Sequence, residues 1–259
     1  MLNIMGTRLD VLMTGNESLL TDVWNRIAAE TGRLHRMLNR FDPESEISCI
    51  NHKATTNPVE LSDELWNMLA DIKKYHRDTL GYFDITLRDF NGVILDESRR
   101  TVAFVEKNIY LDLGGYAKGY ALEKMREIMS AAGVMQALVN FGNSSILALG
   151  AHPYGDCWGV TVDNPFMPGQ QLKTYELRNQ SLSVSGNTPQ RMKHIINPHS
   201  GKYISEKKIV SVVSTNAVEA EVLSTAIMVA DQSVNNVFNH VNFDIFVLKE
   251  ITKIINKNK

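Results

Sequence analysis

The sequence predicts a single α+β domain built mainly from antiparallel sheets with helices packed against them. Apolar residues with helical spacing dominate the first half of the chain. The second half is a succession of short strand-like segments, followed by one strongly apolar helix. No repeat, low-complexity run or Pro/Gly/Ser-rich linker interrupts the sequence, so we treat residues 1–259 as one domain.

The elements are located by the spacing of apolar residues and by capping residues. Asn16 and Ser62 each precede apolar residues at intervals of three and four, so we expect them to be the N-caps of two helices. Further helices are predicted from the Gly114-Gly115 turn to about Ala132 and over Ala217–Ala230. Strands are predicted at Met5–Thr14, Val102–Val105, Ile109–Leu113, Ala137–Phe141, Ile146–Leu149, Trp158–Asp163, Leu172–Leu177, Ser181–Ser185, Ile209–Ser214 and Asp244–Leu248.

The chain carries no global charge that would recruit a polyanion. Its formal net charge is −2, with 22% charged residues, which disfavours nucleic acid and anionic membranes as partners. Any bound anion must therefore be held by a local group of donors. No apolar run is long enough to span a bilayer and no leader-like segment opens the chain, so we expect a cytoplasmic protein without a membrane-spanning segment. Cys49 and Cys157 form neither a disulfide framework nor a metal-binding pair.

The helix predicted after Asn216 carries two oxygen-bearing side chains on one face. Glu221 and Thr225 are four residues apart, and nearly every other position of the segment is apolar. A carboxylate buried in such a helix needs a partner, because an unpaired buried charge is costly. A hard cation such as Mg²⁺ is one partner. The alternative is a buried Lys or Arg for Glu221, with Thr225 bonded to its own helix backbone.

A second candidate site lies at Leu111–Tyr120. A strand-like segment ends there in Gly114-Gly115, and a helix begins with Lys118 in its first turn. Helix amides, a glycine that permits close approach and a cation together form a phosphate cradle. The spacing matches neither the dinucleotide-binding glycine motif nor the P-loop. The alternative is a tight strand-to-helix connection with a solvated lysine.

A third feature is the absence of Asp and Glu between Leu177 and Ser205, where the chain average of 29 acids in 259 residues predicts about three. Local positive potential of this kind suits a diphosphate; a strand-and-turn region that happens to lack acids is the alternative. A lone histidine is more often structural than catalytic, but beside a diphosphate His194 would be a natural proton acceptor. The basic residues and histidines of the stretch are Arg178, Arg191, Lys193, Lys202, His194 and His199.

The fourth feature is the segment Phe41–Asn51, which we predict to be a polar turn. An aromatic residue followed by a polar loop can stack on a planar ring and bond its edge. The alternative is a short helix with Asp42 as N-cap and Pro43 at its first position.

Taken in order, these segments resemble the FAD:protein FMN transferase (ApbE-like) family. The resemblance extends from residue 5 to residue 226, and each motif is weak alone whereas the ordered set is specific. The matching motifs are Met5-Gly6-Thr7, Phe41–Asn51, Phe83-Asp84-Ile85-Thr86, Asp112-Leu113-Gly114-Gly115, Ala117-Lys118-Gly119-Tyr120, Val139-Asn140-Phe141-Gly142, Ser185-Gly186-Asn187, His194-Ile195-Ile196 with Pro198 and Gly201, and Leu223-Ser224-Thr225-Ala226.

The resemblance implies a T-fold-like α+β architecture with FAD in a cleft between two lobes. It implies Mg²⁺ near the diphosphate, held by the Ala117 carbonyl, Glu221 and Thr225. It further implies that His194 and Lys118 are catalytic and that Phe41 lies against the isoalloxazine. The FAD-binding residues that it implies are Met5, Thr7, Phe41, Ser45, Glu46, Ser48, Asp84, Thr86, Asp112, Gly114, Lys118, Gly119, Gly142, Ser185, Gly186 and His194.

The activity implied by the resemblance is transfer of FMN from FAD to a threonine of an acceptor flavoprotein, with release of AMP. In that reaction the metal and the basic segment neutralise the diphosphate, and the threonine hydroxyl loses its proton toward His194. The alternatives are hydrolysis of FAD to FMN and AMP, and FAD binding without catalysis by a chain whose metal site has decayed.

Three residues depart from the family pattern. The family has Asp where this chain has Glu221, and the extra methylene bears on metal geometry, to which Mg²⁺ is sensitive. Asn197 replaces an Asp and so removes a charge that could orient His194. Asn143 stands where a second glycine is usual, although Asn tolerates left-handed backbone angles better than most residues. We expect these changes to affect rate and metal choice more than fold or FAD binding.

Overall fold

The computed structural model describes residues 1–86, 88–189, 192, 194–231 and 236–248. The helices in this part of the chain are α1 (Glu17–Leu38), α2 (Glu46–Lys53), α3 (Asp63–Asp78), α4 (Ala117–Ala131) and α5 (Ala217–Val229). The strands are β1 (Leu2–Ile4), β2 (Thr7–Met13), β3 (Val59–Glu60), β4 (Val93–Asp96), β5 (Thr101–Phe104), β6 (Ala137–Phe141), β7 (Ser145–Leu149), β8 (Trp158–Asp163), β9 (Gln171–Leu177), β10 (Gln180–Gly186), β11 (Ile196–Asn197), β12 (Lys202–Tyr203), β13 (Lys208–Ser214) and β14 (Asn242–Val247).

The centre of the molecule is a seven-stranded sheet with the strand order β1-β2-β6-β7-β10-β13-β14. Its neighbouring strands pair antiparallel throughout. Smaller sheets are formed by β3-β5-β4, by β8-β9 and by β11-β12. The predicted α+β fold, with mostly antiparallel sheets and packed helices, is confirmed.

Alternation along the strands divides their side chains between two cores. Ile146 and Ala148 of β7 pack with Trp158 and other residues of the β8-β9 hairpin. Leu147, which lies between them, belongs to the larger core that includes α4 and α5. Ser145 has the same parity as Leu147 and therefore points toward the helices. This face of the sheet carries the candidate site.

Helix α5 is buried on nearly every side, as its apolar sequence predicted. It packs against β10 and β13, and α4 packs against it. Its predicted N-cap is confirmed, since the Asn216 side chain accepts a hydrogen bond from the N–H of Glu219. The first amide of the helix, that of Ala217, donates to the Glu123 carboxylate of α4 at 2.5 Å.

The C-terminal end of α5 is capped by a buried lysine. The Lys208 ammonium donates to the carbonyl oxygens of Ile227 and Met228, each at 3.1 Å. Burial lowers the pKa of Lys208, but a cation is favourable at the negative end of a helix dipole. Helix α5 is therefore hydrogen-bonded to other elements at both of its ends.

Helices α4 and α5 approach each other closely at Gly119. A Cβ on Gly119 would lie 2.7 Å from the carbonyl oxygen of Ala217 and 2.8 Å from the Cα of Val218. Because both of these are backbone atoms, neither can rotate away. Gly119 is an expected FAD-binding residue, and its contacts in the structure give it a packing role.

One predicted strand, Ile109–Leu113, is wrong. The preceding predicted strand, Val102–Val105, does form as β5, but it pairs with β3 and β4. An asparagine takes the place of a strand partner: the Asn51 side chain accepts from the Leu111 N–H at 2.7 Å and donates to the Leu111 carbonyl at 3.1 Å. The backbone N–H and carbonyl of Leu111 thus have hydrogen-bond partners without pairing to another strand.

The other predicted helices and strands are confirmed to within about two residues, with one shortening. A turn at Met5 and Gly6, where φ is +51° and +70°, cuts the predicted Met5–Thr14 strand to β2. None of the helices in the described residues is long and apolar enough to cross a bilayer.

We predict that stability falls at alkaline pH because of Tyr116, which is 2% exposed and donates to Asp71 at 2.9 Å. Burial, and then the Asp71 charge, raise its pKa above the ordinary value of about 10. The unfolded chain therefore loses this proton first, so stabilisation is complete below pH 10 and is lost as the pH rises above it. Urea denaturation from pH 8 to about 11 should show a steeper loss for the parent than for Tyr116→Phe. If the free energy of unfolding fell equally with pH in the parent and in Tyr116→Phe, this assignment would be contradicted.

Candidate active site

The Gly-Gly segment forms a short 3₁₀ turn that leads directly into α4. Asp112 Oδ1 accepts from the N–H of Gly114 at 2.9 Å and so holds the turn. Helix α4 has Tyr116 as its N-cap residue, and no side-chain hydrogen bond caps it there. Uncapped amides at a helix N-terminus are donors suited to an anion, and Lys118 adds a cation to the same turn.

Glu221 is the centre of a buried polar cluster between α4, α5 and the sheet. The Lys118 ammonium forms an ion pair with Glu221 Oε1, while Ser145 and Ser183 donate to Oε2 at 2.5 Å and 3.1 Å. The side chains of Glu221 and Lys118 are 6% and 20% exposed. One cation and two hydroxyls thus offset the cost of burying the carboxylate. We call Glu221, Lys118, Ser145, Ser183 and Ser224 the Glu221 cluster.

Hydroxyl groups extend the Glu221 cluster along β10. Ser224 Oγ lies 2.9 Å from Ser183 Oγ and 2.8 Å from Ser185 Oγ. Ser183 donates its only proton to the carboxylate, and Ser224 has a single proton to share between Ser183 Oγ and the Glu221 carbonyl oxygen, which lies 3.0 Å away. Ser185, an expected FAD-binding residue, lies at the outer end of this chain and is partly exposed.

Thr225 lies one helical turn beyond Glu221 and faces the glycine turn. Its hydroxyl donates to the carbonyl oxygen of Glu221 at 3.1 Å. A Cβ on Gly115 would lie 3.3 Å from Thr225 Oγ1, so the glycine leaves space beside this hydroxyl. The contacts in the structure are those of the second alternative from the sequence: a lysine partner for Glu221 and the helix backbone for Thr225.

An exposed aromatic residue flanks the same segment. Phe41 is 77% exposed, and the Arg40 guanidinium lies over its ring at 4.3 Å from the centroid. Arg40 Nε is 3.1 Å from Asp112 Oδ2, which tethers this pair to the Gly-Gly turn. An exposed ring beside a cation suits stacking with a planar ligand.

The predicted polar turn Phe41–Asn51 is wrong in its second half, because residues 46–53 form α2. The alternative of a helix capped by Asp42 is wrong as well, since the N-cap is Ser45, whose hydroxyl accepts from the Ser48 N–H at 3.0 Å. Asp42 instead accepts from the Glu44 N–H at 3.0 Å within the preceding turn. The helix therefore has its N-cap at Ser45, and not at Asp42.

The polar residues of α2 hold the turn that carries Phe41. Ser45 donates to the carbonyl of residue 39 at 2.8 Å, and Ser48 donates to the carbonyl of residue 40 at 2.9 Å. Glu46 accepts from the N-cap serine of α3 at 2.8 Å. All three are expected FAD-binding residues. The two serines hold the backbone beside Phe41, and Glu46 joins α2 to the start of α3.

Asp84 and Thr86 organise the loop after α3. Asp84 Oδ1 accepts from the amide and hydroxyl of Thr86 at 2.7 Å and 2.6 Å, and Oδ2 accepts from the Phe90 N–H at 2.8 Å. His76 and Asp89 lie close enough to form a metal-type group with Asp84. However, both oxygens of Asp84 already accept hydrogen bonds from its own loop, and Asp89 caps a 3₁₀ turn, so we assign this group a structural role.

Three further expected residues meet at two neighbouring turns of the sheet. Met5 lies in the β1-β2 turn, and Gly142 (φ +72°) lies in the β6-β7 turn. A Cβ on Gly142 would lie 2.6 Å from Thr7 Oγ1, so the glycine permits β2 and β6 to approach at this point. Asn143 adopts φ +56°, and its N–H donates to Asn140 at 2.9 Å. The expectation that Asn tolerates this position is confirmed.

The expected residues of the acid-free stretch lie at the far end of β10 and beyond it. Gly186 ends the strand, and a Cβ there would lie 2.7 Å from the Lys208 carbonyl oxygen. His194 is exposed and precedes the β11-β12 hairpin. Arg191 and Lys193 lie outside the described residues.

Asn197 docks that hairpin onto the end of α5. Its Oδ1 accepts from the N–H groups of His199 and Ser200 at 2.9 Å and 3.2 Å, and its Nδ2 donates to the Val229 carbonyl at 2.9 Å. An aspartate could make the first two bonds but has no donor for the third. The departure from the family pattern therefore has a structural use in this chain.

We predict that Asn197→Asp destabilises the protein, although it restores the family residue. The carboxylate would leave the Val229 carbonyl unpaired and place a negative charge at the negative end of α5, which should lower the free energy of unfolding by about 1–2 kcal/mol. Urea denaturation at pH 7 measures this, with the exposed Asn57→Asp as the control for added charge. Equal stability of the two variants would contradict the prediction.

Sequence reasoning missed the neutral partners of Glu221 and the cation beside Phe41. Ser145 belongs to a strand whose predicted start was one residue later. Ser181, Ser183 and Ser185 alternate in the sequence, which places three small hydroxyls on one face of a strand, and that signal was available. Arg40 lacked any such signal, since its partner Asp112 is distant in the chain.

A family model, several relatives and several solved structures match this chain. The sequence profile of the ApbE family matches residues 5–91 and 87–243. The chain belongs to the ApbE family. A FAD:protein FMN transferase of Chlamydia muridarum is 26% identical over 233 residues, covering 75% of this chain and 71% of the relative. A protein of the same name from Klebsiella pneumoniae is 24% identical, covering 80% of this chain and 77% of the relative.

Solved ApbE structures share the fold over nearly the whole chain. A histidine-to-glycine mutant of the flavin transferase ApbE from Vibrio cholerae superposes with a TM-score of 0.84 at 17% identity, covering 95% of this chain and 92% of that one. The ApbE protein of Thermotoga maritima gives a TM-score of 0.84 at 20% identity, with 94% and 92% covered. At these identities the similarity shows a common fold.

Proposed function

We propose that this ApbE-family chain is an FAD:protein FMN transferase that moves FMN from FAD to a threonine hydroxyl of an acceptor flavoprotein. The observation that carries the proposal is the segment 112–118. Its amide-rich turn lies between the exposed Phe41, tethered through Arg40 and Asp112, and the buried Lys118–Glu221 pair. Such a segment offers a stacking surface and phosphate donors to the two parts of one flavin nucleotide.

The residues around Glu221 fit a divalent cation by their chemistry. The Ala117 carbonyl, the Glu221 carboxylate and the Thr225 hydroxyl are oxygen donors of the kind that Mg²⁺ prefers. The missing Cβ of Gly115 leaves space beside Thr225 Oγ1. One carboxylate oxygen is held by Lys118. When bound, Mg²⁺ would neutralise negative charge on the diphosphate.

The roles of the side chains follow from their positions. Phe41 stacks on the isoalloxazine, with its turn held by Ser45 and Ser48. Lys118 and the uncapped amides of α4 bind the diphosphate and orient it. The expected residues Thr7, Gly142, Asp84 and Thr86 support the surrounding turns.

The chemical step requires one base. The acceptor threonine oxygen attacks the FMN phosphorus, its proton passes to His194, and the bond from that phosphorus to the bridging oxygen breaks. AMP leaves with the bridging oxygen and its electron pair. No nucleophile from this chain is consumed.

The test is incubation of the purified chain with FAD, Mg²⁺ and an acceptor domain. We expect the acceptor to gain the mass of FMN and AMP to be released in equal amount. AMP without an adduct would instead indicate a hydrolase. A flavin-bound protein that releases no AMP with any divalent ion would indicate a binding protein without catalysis.

We assign His194 as the base, with the exposed His240 as the position for a matched control. His194→Gln should lower the transfer rate by about 100-fold or more while FAD binding is kept, because a positioned general base contributes on the order of 10²–10⁴. His240→Gln should leave both unchanged. Equal transfer rates for the two variants would remove His194 from the mechanism.

A further inference from the structure

We propose that Lys118 is an internal cation that competes with a divalent metal ion for Glu221, and that a bound diphosphate draws Lys118 away. The inference rests on the proposed function for the identity of the nucleotide. It goes beyond that function by assigning Lys118 a gating role at the metal site, so that nucleotide and metal bind cooperatively.

The first argument is the pairing itself. Among the described residues, Lys118 is the charged group that the structure places on Glu221, whereas Ser145 and Ser183 are neutral donors. A carboxylate that is 6% exposed and paired with one ammonium has no charge left to attract a second cation. Metal ion and lysine therefore exclude each other at Oε1.

The second argument is the position of Lys118 in the first turn of α4. The glycine contact between α4 and α5 holds the backbone of this turn close to the start of α5, so Lys118 reaches Glu221 without movement of either helix. The Lys118 side chain is 20% exposed, which leaves it a route out of the cluster toward solvent. A flexible four-carbon side chain can then transfer its ammonium from the carboxylate to a phosphate oxygen.

The third argument concerns what remains when Lys118 leaves. Glu221 would keep two serine hydroxyls, but its buried charge would be uncompensated. The Thr225 hydroxyl beside Gly115 and the carboxylate then offer oxygen ligands to a hard cation. Movement of Lys118 to the diphosphate thus creates the metal site, and by linkage each ligand strengthens the binding of the other.

The experiment measures Mn²⁺ binding to the full chain by titration calorimetry and by the EPR signal of free Mn²⁺, without FAD. Lys118→Met should bind Mn²⁺ more tightly than the parent by about tenfold or more, and Lys118→Arg should stay within about threefold of the parent. Added FAD should tighten Mn²⁺ binding to the parent by about tenfold and to Lys118→Met by much less.

A measurement of thermal stability provides a second test in case Lys118→Met is unstable when a chelator removes the metal. Mn²⁺ should raise the melting temperature of Lys118→Met well above its value in EDTA, because the metal replaces the lost cation. The double variant Lys118→Met/Glu221→Gln should show no such rise, since it has no charge to compensate.

The proposal would be overturned if the Mn²⁺ affinity of Lys118→Met were no higher than that of the parent. It would also be overturned if FAD raised the Mn²⁺ affinity equally in both proteins. Failure of the proposed function is separate: it would show as absent FMN transfer, while the FAD-free comparison of Mn²⁺ affinities still reports on the competition.

Discussion

Glu221→Ala is expected to lower the free energy of unfolding by about 3 kcal/mol and FMN transfer by about 100-fold or more. The variant leaves the Lys118 ammonium without its partner and two serine hydroxyls without their acceptor. Breaking a buried pair costs about 3–5 kcal/mol, and we place this one at the lower end because Lys118 can turn partly toward solvent. Urea denaturation measures the first effect and acceptor mass the second.

Glu219→Gln is the matched control for this prediction. Glu219 lies on the same helix, and its side chain accepts from Ser214, a bond that glutamine can keep. We expect a change in unfolding free energy below about 1 kcal/mol and normal transfer. If Glu221→Ala were no less stable than Glu219→Gln, the Lys118–Glu221 pair would make no measurable contribution to the stability of the fold.

Gly119→Ala is expected to lower the free energy of unfolding by about 2 kcal/mol, although alanine favours helices. The helix preference contributes about 1 kcal/mol in favour of the variant. The new Cβ, at 2.7 Å from the Ala217 carbonyl oxygen, would force two backbones apart, and overpacking of this kind costs about 1–3 kcal/mol or more. We take the steric cost at about 3 kcal/mol, the upper end of this range, because the opposing atoms belong to the backbone of α5.

Gly32→Ala separates the two contributions. Gly32 lies within α1, and a Cβ there would meet the end of the Arg36 side chain at 3.6 Å, an ordinary contact. This variant should gain up to about 1 kcal/mol from helix preference alone. Denaturation curves of both variants, recorded under the same conditions, test the prediction; a Gly119→Ala protein as stable as Gly32→Ala would show that α4 can move away freely.

The elements that were predictable from the sequence are those whose local pattern agrees with their tertiary surroundings. Helix α5 is apolar at most of its positions and has an Asn cap, and β6 is a short apolar segment, so both were located closely. The strand expected at Ile109–Leu113 failed because its partner is a single side chain, Asn51, from a distant helix. Local periodicity contains no information about such a partner.

The candidate site shows the same division. Sequence reasoning selected Glu221 and Thr225 because they share one helical face, and that spacing is a property of any helix. It left the partner of Glu221 open between a metal and a lysine. The answer depends on how α4 and α5 are arranged in space, and this arrangement depends in turn on Gly119. Contacts between segments separated by a hundred residues become visible only once the fold is known.

Helix α5 is hydrogen-bonded at its start to Glu123 and at its end to Lys208 and Asn197. The helix that carries Glu221 is therefore held rigidly in place. Under the proposed movement of Lys118, ligand entry would require only the torsions of one lysine side chain to change, a motion of about nanoseconds for an exposed side chain, instead of the sliding of helices, which takes about microseconds to milliseconds. The speed at which nucleotide and ion arrive would accordingly be governed by diffusion and desolvation, with no slow rearrangement of the scaffold.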